Sequence, residues 1–532
     1  MNYGDMASDE MRLLLSRLHP YQNVAVAVLA AAVVWAALSV VLVLGSRRRK
    51  LPPGPRAWPL IGNLHLLGAM PHQSLAKLAQ NYGPLMSIWL GSYLYVVAST
   101  PEMAKALLQT HDSTFASRPS IAATVHMLFH NSDMAFALYG PYWKLIRRVC
   151  LTHIFHPRRL DSFSPIRLQE ARDLLRNINR SCSYGGSPVP VRLRLQEAAN
   201  NIISRIALNK KYTELSSAGS THDLIALIDE TMLLLGVPNI GDFIPSLAWM
   251  DLQGWERRMK VVGAKVQQAM GEIIKQRRAE RLSGLPAADR PHIDQQDLLD
   301  VLLAAASEEK EEQITDDNIT AVIMDMYLGG TGTIAITAEW AMAELLRNPE
   351  VLKKAQDEID MVVGRERLVE DEDVQEKLPY LRAVLKETFR LHPVAPLLLP
   401  RESMQACTVG GYQLPARTRA YVNVYAVGRD PGTWEEPLAF RPERFVGSDV
   451  EENGQQFQLL PFGAGRRRCI ALELGLLNLR LFLARLLQAF EWSPAAAHAE
   501  RLDMSELFGL NVMLAQPLTA HVSPRVSPTL YM

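Results

Sequence analysis

Cys469 has the most chemically loaded surroundings in the chain. It ends the run Pro461-Phe462-Gly463-Ala464-Gly465-Arg466-Arg467-Arg468-Cys469-Ile470-Ala471, and an apolar stretch of helical spacing, Leu472 to Phe490, follows. A thiolate at the mouth of a helix gains from the N-terminal dipole and from backbone N–H groups without helical partners. Those N–H groups can point at a metal-bound sulfur and tune the metal. Gly463 and Gly465 permit the tight turn that delivers the sulfur. Arg467 can hold an anionic group beside the metal with its guanidinium fork. The plain alternative is a buried free thiol after a basic turn.

Other stretches combine reactive or charged residues at useful spacing. Leu328-Gly329-Gly330-Thr331-Gly332-Thr333 lies in the middle of a long helical pattern, Ile314 to Leu346. Each of its glycines costs a helix interior roughly 1 kcal/mol relative to alanine. A helix bearing that cost needs close backbone approach or a local distortion. In Tyr142-Trp143-Lys144-Leu145-Ile146-Arg147-Arg148, Trp143 and Arg147 are four apart and share a helical face. Glu387 and Arg390 in Lys386-Glu387-Thr388-Phe389-Arg390 are three apart and can pair. On a surface such a pair contributes under about 1 kcal/mol.

The elements that must position these residues are mainly helical. Tyr93 to Ala98 is a strand candidate, and residues 215–222 and 283–295 read as surface loops. The 532 residues are 48% hydrophobic and 21% charged, ordinary for a globular protein with an added membrane segment. Lys+Arg and Asp+Glu both number 56, so net charge points to no nucleic-acid partner. The cysteines, Cys150, Cys182, Cys407 and Cys469, are scattered without a Cys-x-x-Cys pair, against a disulfide framework or zinc site.

The N-terminus divides into three parts. Residues 1–23 form a tail with Asp5, Asp9 and Glu10. Val24 to Leu44 is apolar apart from Ser39, and about 20 such residues span a bilayer core. Arg47-Arg48-Arg49-Lys50 follows, so the positive-inside rule places the bulk of the chain in the cytosol. Residues 24–44 read as an uncleaved signal anchor. Residues 45–59, with Leu51-Pro52-Pro53-Gly54-Pro55, read as a basic, proline-stiffened hinge. Residues 60–532 form one catalytic domain.

The pattern Phe-x-x-Gly-x-Arg-x-Cys, formed by Phe462, Gly465, Arg467 and Cys469, resembles the cytochrome P450 family of haem-thiolate monooxygenases. The resemblance implies a mainly α fold with a small β-rich part and one N-terminal transmembrane helix. It implies haem b with Cys469 as axial ligand, through which electron density is pushed to favour O–O cleavage. Ala471 stands where the family usually has glycine, and a methyl there should be tolerated. Trp143, Arg147, Arg401, Phe462 and Arg467 would hold the cofactor. The buried core lock of the family is matched by Glu387, Arg390 and the Arg444 of Pro442-Glu443-Arg444-Phe445.

Gly329 to Thr333 matches the family's oxygen-facing pattern, which makes Thr333 the catalytic hydroxyl that organises water for proton delivery. The acidic position is Gly332, a departure. Asp325 and Glu339 each lie about 10 Å away along the helix and cannot simply replace an acid there. The pocket would be lined from Arg118 to Phe129, Ile323 to Tyr327, Val394 to Leu397 and Glu506 to Leu510, with Met127, Phe129 and Met324 prominent. An apolar or aromatic small molecule follows. The wording of the motifs resembles the plant microsomal branch that acts on phenylpropanoids, flavonoids and terpenoids.

The implied reaction inserts one atom of O2 into a C–H bond. No Gly-x-Gly-x-x-Gly fingerprint is present, so electrons from NADPH require a partner, a flavoprotein reductase. Arg148, Arg466 and Arg468 would belong to its docking face. The implied location is the endoplasmic reticulum membrane, single-pass, with the catalytic domain facing the cytosol. Gly332 leaves two alternatives: a haem-thiolate isomerase or dehydratase, and a haem-binding membrane scaffold without turnover.

Overall fold

The computed structural model describes residues 50–183, 188–212, 224–282, 296–308, 314–495 and 502–532, together with Val26. The N-terminal tail, the rest of the expected anchor and the expected loops 215–222 and 283–295 lie outside these residues.

In chain order the principal helices are α1 (Pro71–Tyr82), α2 (Ala122–Met127), α3 (Pro141–His153), α4 (Ser164–Ser183), α5 (Val191–Leu208), α6 (Leu224–Gly236), α7 (Trp255–Leu282), α8 (Leu298–Glu308), α9 (Asp316–Gly330), α10 (Gly332–Arg347), α11 (Pro349–Val362), α12 (Pro379–Leu391) and α13 (Leu472–Ala489). The strands are β1 (Leu85–Leu90), β2 (Tyr93–Ala98), β3 (Val189–Pro190), β4 (Arg401–Glu402), β5 (Cys407–Val409), β6 (Tyr412–Leu414), β7 (Arg419–Val422), β8 (Phe490–Pro494), β9 (Glu506–Leu507), β10 (Met513–Leu514) and β11 (Thr519–Pro524). The architecture is mainly helical with a small β part, as expected.

The largest sheet has the order β1-β2-β7-β4. β1 and β2 form an antiparallel hairpin with Ser87 opposite Val96, and β2 runs parallel to β7 with Tyr95 opposite Arg419. The expected strand at Tyr93 to Ala98 is β2. The proline run expected as a hinge is docked on this sheet. The amide of Ser87 donates to the carbonyl of Pro53 and its hydroxyl to that of Pro52.

α10 and α13 are apolar on nearly every face and are buried accordingly. α10 packs on α5, α11, α12 and α13, and this bundle is the centre of the main core. α9 and α10 together are long and apolar enough to cross a membrane, but 78% of the most apolar part is buried inside the protein, so they form a core element.

The single long helix expected from Ile314 to Leu346 is interrupted at Thr331, whose backbone departs to φ −113°, ψ −71°. Three hydroxyls turn back on the helix here. Thr331, Thr333 and Thr337 donate to the carbonyls of Tyr327, Gly329 and Thr333 at 2.7–2.8 Å, which favours bending. The glycines serve both ends the sequence allowed. A Cβ on Gly330 would come within 2.6 Å of Ile203 Cδ1 on α5, whereas one on Gly329 would meet open space.

Behind the cysteine loop, Glu387 on α12 is fully buried. It accepts two bonds of 2.7 Å from Arg390, one of 3.1 Å from Arg444 and one of 2.8 Å from the amide of Arg441. Arg390 also donates to the carbonyls of Gly428, Pro437 and Ala439. Both oxygens of the Glu387 carboxylate are paired with donors, which is the condition for keeping a buried charge.

Some pocket-lining expectations need correction. Met127, Ile323, Met324 and Tyr327 are sealed in the core. Their apolar character serves helix packing, and Tyr327 is held by a 2.9 Å bond to Ser204 on α5.

Candidate active site

The Cys469 loop is closed by its own backbone. The Cys469 amide donates to the carbonyl of Phe462 at 3.0 Å, and Gly463 and Gly465 both take left-handed backbone angles, φ +66° and +69°. Gly465 is also a point of close approach. A Cβ there would lie 2.2 Å from the carbonyl oxygen of Leu108 and 2.6 Å from Asp112 Oδ1. Asp112 is the brace of the loop. Its carboxylate accepts from the Arg466 amide at 3.1 Å, from the Arg466 side chain at 2.8 Å and from Arg401 at 3.3 Å. Arg401 also donates to the carbonyl of Ala464 at 2.8 Å.

Cys469 lies three residues before α13, at its N-terminal end. Its side chain is accessible, yet dense protein around it pushes the thiol pKa up. The residue is thus open at the surface although much protein lies close around it. The Ala471 amide, Arg147 and Arg468 oppose the shift by favouring the thiolate. Phe462, near the start of the loop, is edge-on to Phe389 at 5.5 Å, and a Cβ on Gly475 would touch its ring at 3.7 Å.

Trp143 and Arg147 share one face of α3, with the guanidinium 5.4 Å from the indole ring. Arg467 covers the same ring at 4.4 Å. Trp143 Nε1 donates to the carbonyl of Met134 at 3.1 Å, and Arg147 donates to that of Arg468 at 3.1 Å. Arg467 binds the carbonyls of Ala116, Met134 and Ala137 at 2.7, 3.3 and 2.5 Å. Arg118, only 5% exposed, donates to the carbonyls of Ala135, Leu399 and Pro400.

These arginines crowd one another. Burial, then repulsion from Arg401, lowers Arg467 to about 9, and burial lowers Arg401 to about 10 against the pull of Asp112. Arg118 is lowered well below its usual value by burial and by Arg467 and Arg401. A guanidinium keeps its proton in a protein, so these shifts register the cost of burying like charges. A bound dianion would offset that cost.

Thr333 is half-buried at the first turn of α10, one turn from the open space at Gly329. Asp325 and Glu339 are both engaged elsewhere. Asp325 Oδ2 accepts from the amides of Met134 and Ala135 at 2.6 and 3.2 Å. Glu339 accepts from Arg192 at 2.6 Å and from the amide of Leu518 at 2.8 Å.

The model of the cytochrome P450 family matches residues 52–519. The chain belongs to the cytochrome P450 family. A flavonoid 3',5'-hydroxylase of Campanula medium is 40% identical over 500 residues, covering 91% of this chain and 94% of its own. The flavonoid 3'-monooxygenase of Petunia hybrida is 39% identical over 492 residues, covering 90% and 93%. That of Arabidopsis thaliana is 38% identical over 491 residues, covering 91% and 94%. Among solved structures, a zebra fish cytochrome P450 with progesterone superposes with a TM-score of 0.71 at 29% identity, over 86% of this chain and 99% of that one.

The protein is therefore a P450 monooxygenase, and its family implies haem. The residues present fit such a group: an accessible thiol at the N-terminal end of α13 with the Ala471 amide turned to its thiolate, and beside it buried arginines whose repulsion two carboxylates would relieve. Sequence reasoning missed Asp112 in this P450 site. It belongs to no local motif and reaches Arg401 and Arg466 across a long stretch of chain. Arg118 appeared only as the start of a lining segment.

Proposed function

We propose that this P450 is a membrane-anchored flavonoid hydroxylase in which the Cys469 thiolate would ligate the iron of haem b. The observation that carries the assignment is the accessible Cys469 thiol at the N-terminal end of α13, with the Ala471 amide favouring its thiolate. Arg147, Arg401 and Arg467 would hold the haem carboxylates, Trp143 lies against both Arg147 and Arg467, and Phe462 would pack against the group from within the cysteine loop. When bound, thiolate-ligated haem supplies the activation of O2 that allows one oxygen atom to enter a C–H bond.

The remaining work falls to the protein. Thr333 presents a hydroxyl oxygen that can accept from water, because its proton is donated to the carbonyl of Gly329. Overall, substrate, O2, NADPH and one proton become hydroxylated product, water and NADP+. The electrons come from NADPH through a flavoprotein reductase, which docks on the face carrying Arg148, Arg466 and Arg468. Residues 24–44 anchor the chain in the endoplasmic reticulum membrane with the catalytic domain in the cytosol. Flavonoids are the substrate class because relatives at 38–40% identity over nearly their whole length are flavonoid 3'- and 3',5'-hydroxylases.

The test is turnover of a flavonoid panel by full-length protein with a microsomal reductase under 18O2. One labelled oxygen per product molecule and strict NADPH dependence are expected. Product without label or without NADPH would establish the isomerase or dehydratase reading instead. Absence of any flavonoid-induced spectral shift would overturn the substrate class.

A further inference from the structure

Asn511 sits at the tip of the β9–β10 hairpin. It is 7% exposed, and among the described residues its amide makes no hydrogen bond to protein. The tip itself is rigidly seated. The Val512 amide donates to the carbonyl of Val394 at 2.8 Å, and Trp340 Nε1 on α10 donates to that of Val512 at 3.3 Å. On the far side, a Cβ on Gly236 would come within 2.5 Å of the Leu510 amide, so the end of α6 is packed against the same turn. The amide atoms are nonetheless open enough to take water, and an amide held this firmly is a ready partner for an ordered one.

The amide is aimed at the first turn of α10. A Cβ on Gly332 would lie 3.6 Å from Asn511 Nδ2 and 3.3 Å from Met232 Cε. Glycine at 332 thus leaves the amide standing where a longer side chain at that position would end. The next residue is Thr333, whose oxygen retains its acceptor capacity. An amide can donate or accept, so Asn511 and Thr333 together offer complementary sites to water beside the same turn.

We propose that Asn511 is a positioning residue that holds water against Thr333, doing from the hairpin what a polar side chain at 332 would do from the helix. The inference rests on the monooxygenase reading above. In that reaction the electrons arrive through the reductase without their protons. Two protons from solvent must therefore reach the oxygen atom that leaves as water. When they are misdelivered, O2 leaves with the same two electrons and two protons as hydrogen peroxide.

The test compares full-length holoenzyme with Asn511→Ala and with the double variant Asn511→Ala/Gly332→Asn, which returns an amide to the same space from the helix. Product, peroxide and NADPH are counted together on a flavonoid that the wild type hydroxylates. Asn511→Ala is expected to lower product per NADPH by about 10-fold, less than the roughly 100-fold or more of a proton-transfer group itself because Asn511 acts through water, with peroxide rising to match. The substrate-free ferric protein should lose low-spin fraction as ordered water is lost, while the substrate Kd from spectral titration stays within about twofold. The double variant should recover both the coupling and the spin state. If Asn511→Ala does not take up haem, Asn511→Thr is judged by the same measurements. Unchanged coupling and spin state, or a weakened Kd with coupling intact, would overturn the inference while leaving the monooxygenase reading in place. No labelled product from the wild type would remove that reading itself, and the inference with it.

Discussion

Arg467 lies 4.4 Å over the ring of Trp143, and both side chains donate to the carbonyl of Met134. The cysteine loop is thereby fastened to α3 and to the segment around Met134 before the chain reaches Cys469. Trp143→Leu removes the ring face and the Nε1 bond together. It is expected to cost about 2–4 kcal/mol and to lower haem content, while Trp143→Phe keeps the ring face and loses less. Haem-to-protein ratio and thermal unfolding of the two variants check this. Equal losses in both would show that the ring face contributes nothing.

The ligand assignment separates the cysteines. Cys469→Ser should abolish the thiolate-specific Soret band of the reduced carbon monoxide complex. Cys150 is buried, with its thiol pushed up to about 12, and Cys407 is raised by burial too. Cys150 is sealed in the core on α3 and Cys407 lies on β5; neither sits in a glycine-relaxed loop at the N-terminal end of a helix, so Cys150→Ser and Cys407→Ser should keep the band. A persisting band in the Cys469 variant would end the assignment.

Gly465→Ala tests the loop itself. The added methyl meets the carbonyl of Leu108 at 2.2 Å and demands φ near +69° of an L residue. The loop must shift, at a cost of about 2–4 kcal/mol, and Asp112 must release one of its partners. Haem uptake should fall sharply in this variant. Asp112→Asn should show a milder form of the same defect, since its amide keeps one acceptor oxygen. Wild-type haem uptake by Gly465→Ala would contradict this geometry.

Glu387 distinguishes a structural lock from a surface pair. Glu387→Ala leaves the buried Arg390 without its bidentate partner and should cost about 3–5 kcal/mol, seen as poor recovery of folded haem protein. Glu387→Gln, which retains one acceptor for Arg390, should be intermediate. Denaturation midpoints of both variants decide the order.

The Asp133–Asp325 pair predicts a pH dependence of stability. The two carboxyls are close enough that a proton held by one can be donated to the other. Burial raises Asp133 to about 6, against its bond from the Phe136 amide and the charges of Arg467 and Arg118. Burial and the neighbouring Asp133 charge raise Asp325 well above the usual carboxylate range. The folded state thus binds these protons more tightly than the unfolded chain, whose carboxyls titrate near 4. The pair's stabilising protonation is complete below pH 4 and is lost as pH rises through 6 and beyond. Asp133→Asn should flatten that decline by an amount on the order of 2 kcal/mol, read as the difference in unfolding free energy between pH 4.5 and 7.5. An unchanged slope would rule out the shared proton.

The sequence alone determined what short spacing can determine. Trp143 and Arg147 share a helical face because four residues make about one turn, and Glu387 meets Arg390 for the same reason. The cysteine loop was legible because its glycines, arginines and sulfur lie within eleven consecutive residues. Helical propensity also flagged a close approach or a distortion in Gly329 to Gly332, though not that Ile203 of α5 would be the side chain lying against Gly330.

Tertiary structure decided the pairings between distant parts of the chain. Asp112 braces Arg466, Asp133 reaches Asp325, and Asn511 approaches Gly332, although nothing beside these residues in the sequence marks a partner. Met127 and Met324 went to the core rather than to a pocket wall for the same reason. An apolar side chain carries no record of whether another helix or an open space will face it. That is fixed only when the helices pack, because contact energy depends on separation in space and the chain encodes only separation along itself.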